Sequence, residues 1–130
     1  MIPKITKAIL IMLLCNIFNA NASSTSIETF ESAQKIAKYY ESKLSSIELS
    51  ELTKAQGELL SVSLIGCVNK TGQIPSPFTL VLKMTNEGKV SKVWTNKHNA
   101  FLNCFKNEAM KKFIYKSKRK EFYSIMEVSL

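Results

Sequence analysis

The hydrophobic period of this chain first changes at Pro75 and Pro77, and that change divides it into a helical part and a part in which strands enter. Before the prolines, Ile27, Phe30, Ala33, Ala37, Tyr40, Leu44 and Ile47 recur at three- and four-residue steps. Lys35, Lys38, Glu41 and Lys43 fall between them, as on an amphipathic helix with one solvated face. Thr25 to Glu28 and Ser45 to Glu48 both read as capping boxes. The helix is therefore expected to break near Ser45, with a second helix running from about Ile47 to Val68 and stopped by Asn69 and Gly72. The pair Tyr39 and Tyr40 reads as core and rim packing rather than as a ligand stripe.

After the prolines, Phe78, Leu80, Leu82 and Met84 alternate with Thr79, Val81, Lys83 and Thr85, the pattern of a strand. Asn86 to Lys89 makes a turn in which Gly88 can take a positive φ, and Val90 to Thr95 returns with Trp94 packed. Asn96 to Asn99 can cap a third helix with Phe101, Phe105, Ala109 and Phe113 along one side, widened by Leu102 and Met110, with Cys104 beside them. Phe122 to Leu130 alternates again as a closing strand. The fold class is α+β: N-terminal helices followed by a β-hairpin, a helix and a final strand, forming a small antiparallel three-stranded sheet.

The first twenty-two residues carry an export signal. Lys4 and Lys7 supply the positive region, Ala8 to Phe18 the apolar one, and Ala20-Asn21-Ala22 a small-residue cleavage site, so cleavage is expected before Ser23. An uncleaved anchor is the rival reading, but this apolar run is well short of the roughly 20 residues a bilayer crossing needs. A lipoprotein is a weaker rival, because Leu14 precedes Cys15 where a small side chain is wanted. Residues 23–130 then form one domain, with 23–68 as a helical extension and 69–130 as the α+β core. Its expected location is periplasmic or secreted. In such an oxidising compartment the two remaining cysteines, Cys67 and Cys104, are best used as a disulfide.

Charge is uneven. Ser23 to Gly72 is net −1, whereas Gln73 to Leu130 is net +7. Seventeen lysines stand against one arginine and no aspartate, a balance that disfavours nucleic acid, for which bidentate arginine would be wanted. With a single histidine, His98, a multi-histidine metal centre is excluded, and without aspartate so are Ser-His-Asp triads and aspartyl pairs. A Cys-His nucleophile pair competes with the disulfide and loses. Phosphate-loop and dinucleotide motifs are absent from the sequence. No catalytic residue, metal or cofactor is assigned. The sharpest local signal is basic: Lys111, Lys112, Lys116, Lys118, Arg119 and Lys120, interleaved with Phe113, Ile114, Tyr115 and Phe122. It suits an acidic protein partner, or an anionic glycan or lipid surface, and competes with a plainer role as a solubilising helix end.

The hairpin from Phe78 to Trp94, with its turn Asn86 to Val90, the helix segment Asn103-Cys104-Phe105 and the basic-aromatic stop Lys111-Lys112-Phe113 resemble the C-terminal domain of TonB and its relatives, over roughly Ser61 to Leu130. A subgroup of that family carries one cysteine before the first strand and another in the later helix, as Cys67 and Cys104 do here. The resemblance implies a periplasmic scaffold used for protein binding. It also implies strand addition, in which the final strand accepts an extended peptide at a sheet edge with Tyr123 and Ile125 setting register. The expected function is that of an exported envelope binding protein without catalytic activity; the alternative is a toxin-immunity or enzyme-inhibitor protein.

Overall fold

The computed structural model describes residues 28–129, so the proposed signal segment lies outside the described residues. The elements in order are α1 (Phe30–Ser42), α2 (Ser46–Thr71), β1 (Phe78–Met84), β2 (Val90–Thr95), α3 (Ala100–Lys112) and β3 (Phe122–Val128). The expected α+β architecture is present. β1 is the central strand of an antiparallel sheet ordered β2-β1-β3.

Local chemistry sets the boundaries. α1 starts one turn later than the Thr25 box suggested: Thr29 is its cap, exchanging hydrogen bonds with Ser32. Ser45 caps α2 by accepting from the Glu48 N–H, which fixes the break anticipated there. Gly72 ends α2 in the left-handed conformation at φ 69°. Gly88 serves the hairpin at φ 83°, and a Cβ there would sit 2.9 Å from the Tyr115 backbone, so that turn admits no side chain. Asn99 caps α3 through the Leu102 N–H.

Both faces of the sheet are covered. Phe78, Leu80, Leu82, Met84, Phe122, Met126 and Val128 meet Leu52 and Leu59 of α2 and Phe101, Phe105 and Ala109 of α3 in the larger core. The other face is formed by Val81 of β1, its cross-strand neighbour Trp94 of β2 and Tyr123 of β3, which pack under α1, whose Ala33 and Ala37 are 0% exposed and let the helix lie close on the sheet. The N-terminal helices are thus structural layers of the domain, one on each side. Cys67 of α2 and Cys104 of α3 form the expected disulfide, with Cα atoms 5.7 Å apart.

Candidate functional site: a basic surface beyond the third helix

The basic run is held in place by its own aromatic residues. α3 stops at Phe113, which turns extended and buries its ring; Ile114 then pairs with Lys89, and the Tyr115 N–H donates to the Gly88 carbonyl at 3.0 Å. The Tyr115 ring is buried against Phe122 at 5.3 Å between centroids. Burial and the nearby Glu48 carboxylate push its phenol above the usual range. Phe113, Tyr115 and Phe122 therefore act as three anchors, and the cations between them are forced outward.

Lys111, Lys112, Lys116, Lys118, Arg119 and Lys120 are all exposed. Lys112 pairs with Glu108 at 2.7 Å, and that contact holds the Glu108 carboxyl below its usual range, with Lys70 and Lys111 adding to the effect. Lys118 reaches Glu48 only at 4.0 Å, and Arg119 lies over the Tyr40 ring at 5.3 Å. Among the described residues Lys111, Lys116 and Lys120 have no carboxylate within ion-pair distance. Six cations in ten residues against so few partners make a positive surface with little internal compensation.

The structure corrects the reading of the closing strand as an acceptor. Tyr123 is 2% exposed, stacked on Trp94 at 5.8 Å, and its hydroxyl donates to Glu28 Oε1 at 2.5 Å. It is a core residue beneath α1 and cannot offer its side chain to a partner. β3 does lie at an edge, but the groups a peptide would need at Ile125 are already taken. The Ile125 N–H donates to Glu41 Oε1 at 3.2 Å, and its carbonyl accepts from Gln56 Nε2 at 3.1 Å. Gln56 Nε2 also reaches Ser124 Oγ, and that hydroxyl donates to Glu41. Side chains from α1 and α2 thus imitate the missing neighbour strand. At the opposite edge Val93 of β2 is 3% exposed, whereas Ser91 and Lys92 are exposed.

Glu41 and Gln56 were not legible as functional positions. Glu41 reads as a solvated-face residue in the helical pattern, whereas burial in fact lifts its carboxyl above the ordinary value of 4.5, partly offset by its bonds to Ile125 and Ser124. A second feature went unread: α2 carries exposed Val62 and Ile65 beside a furrow facing α3, and only an absence of clear amphipathicity in that stretch hinted at it. His98 stands exposed in the connection before α3, and with both sulfurs joined neither cysteine is a thiolate. Among the described residues no three His, Cys or Glu side chains converge as metal ligands. No helix of the described residues is long and apolar enough to cross a membrane. Comparison with protein-family models, curated proteins and solved structures gives no match.

Proposed function

We propose that this chain is an exported binding protein of the cell envelope that captures an acidic macromolecular partner on the surface between Lys111 and Lys120. The observation that carries the reading is the geometry of that segment: three buried aromatic anchors fix a run of six outward cations, four of which, Arg119 among them, lack a carboxylate partner among the described residues. A fixed array of charge loses less side-chain and loop freedom on association than a floppy tail would. The disulfide is consistent with an oxidising compartment. Export itself, and kinship with the C-terminal domain of TonB, are part of the proposal; the kinship rests on the order of hairpin, helix and final strand. Recognition by strand addition at Ile125 is not included, because Glu41 and Gln56 occupy that edge.

The test is capture from envelope extract by the protein and by a Lys116→Glu, Lys118→Glu, Lys120→Glu variant. The reading requires an acidic component held by the first, released by salt and not held by the second. Equal capture by both would overturn it. If the captured component is a secreted toxin or enzyme rather than a resident of the envelope, the immunity or inhibitor role replaces the resident one on the same surface.

A further inference from the structure

A furrow runs along α2 where it faces α3 and the extended Phe113–Tyr115 segment. It consists of two clefts that meet at Val62 and Lys112. One, of about 280 Å³, is lined by Ala55, Glu58, Leu59 and Ile114; the other, of about 230 Å³, by Ser63, Gly66, the Cys67–Cys104 bridge, Lys70 and Glu108. From Ala55 to Lys70 the furrow spans about 22 Å of helix.

Three observations show that the furrow is unfinished. Val62 and Ile114 on its rim are 59% and 64% exposed, an apolar pair left in water. Ser63 is 1% exposed, and its hydroxyl has no hydrogen-bond partner although it lines the cleft; a buried polar group without a partner is costly. Gly66 sits in mid-helix with a helical φ, and a Cβ there would meet nothing within 4 Å. Glycine costs helix stability at such a position, and no contact within the described chain requires it. What it does provide is an open place for another backbone to approach.

Charge selects the occupant. At the Gly66 end, Lys70, Lys111 and Lys112 surround the single carboxylate of Glu108, leaving an excess of positive charge. The same end of a second copy would bring the same excess against it, and among the described residues Glu58 at the far end is the only other carboxylate of the furrow. We infer that the furrow takes an amphipathic helix of a partner protein, with apolar side chains seated between Val62 and Ile114 and carboxylates reaching Lys70 and Lys112. This deepens the binding reading above and rests on it: the partner is again acidic, but its contact is named.

The probe is a synthetic amphipathic peptide of about 16 residues with leucines on one face and glutamates flanking them, titrated against the oxidised protein as recovered from cells. Its comparison peptide carries lysine in place of glutamate. The key variant is Gly66→Leu, which fills the furrow while favouring the helix, so its thermal midpoint should not fall. Gly57→Leu is the matched control, exposed on the same helix and outside both clefts. The expected result is binding of the acidic peptide, loss of about tenfold or more in affinity in Gly66→Leu, little change in Gly57→Leu, and no binding of the basic peptide. Equal binding by Gly66→Leu, equal binding of the basic peptide, or no binding at about 1 mM acidic peptide overturns the inference. So does self-association of the protein that Gly66→Leu abolishes in the absence of peptide, which would make the occupant a second copy. Peptide binding lost in the Lys116, Lys118, Lys120 variant but kept in Gly66→Leu overturns the furrow and leaves the basic-surface reading standing. The converse pattern supports the furrow, and the capture experiment then decides the basic surface by itself.

Discussion

Glu41 does the work of a strand with a single carboxyl group. It accepts from the Ile125 N–H and from the Ser124 hydroxyl, and these bonds lower its pKa, but burial outweighs them and the net direction is upward. A carboxyl whose pKa is higher in the folded than in the unfolded state adds its stabilisation below its unfolded value, near 4.5, and loses it as the pH rises through the folded value. Glu41→Gln keeps an acceptor oxygen and removes the buried charge. It should match or exceed the parent in stability at pH 7, and the difference should close as the pH falls towards 4.5, measured by denaturant unfolding across that range. Glu41→Ala leaves the Ile125 N–H without a partner and the Ser124 hydroxyl with only Gln56, and should cost about 1–3 kcal/mol. Tyr123 gives the complementary case. Burial, and then the bond to Glu28, push its phenol up to about 12. Its contribution is intact below its ordinary value of 10.0 and lost as the pH rises towards about 12, so ultraviolet titration should show, besides the raised Tyr115, a late tyrosine that ionises earlier in Glu28→Gln.

At the scale of elements the disulfide is the strongest tie between α2 and α3. Closing a loop between positions 37 apart stabilises by about 4 kcal/mol in the chain-entropy view. Cys67→Ser and Cys104→Ser should lower the thermal midpoint by similar amounts, and the double variant should fall little further, because each removes the same bond. Unequal losses would show that one sulfur also matters for packing. Most element boundaries were legible, because caps and turns are local: Ser45, Gly72, Gly88 and Asn99 each act within a few residues of their own position. The placement of α1 was not. Ala33 and Ala37 announce a close helix contact without saying against what, and the partners Val81, Trp94 and Tyr123 are supplied from far along the chain. Tyr123 was read as an accessible register residue for that reason; alternation fixes which side of β3 it faces and leaves open whether that side is covered. The cationic segment was legible as a run of charge, whereas its fixing by Phe113, Tyr115 and Phe122 depends on tertiary packing.

At the scale of the whole molecule the net charge of +8 acts against compaction, and the lysines of the basic surface contribute to that repulsion more than to any internal bond. Raising the salt from about 0.01 M to about 0.15 M, which shortens the screening length to about 8 Å, should therefore raise the thermal midpoint. Replacing Lys116 and Lys120 by Gln should reduce that dependence without loss of stability; a marked loss would mean these lysines support the fold. The position of β3 has one more consequence. It belongs to both cores, giving Phe122 and Met126 to one and Tyr123 to the other, and it follows every other element of the described residues. A polypeptide synthesised from its N-terminus can complete neither layer until β3 is available. Neither layer is then closed ahead of the other, and both wait on one strand of seven residues.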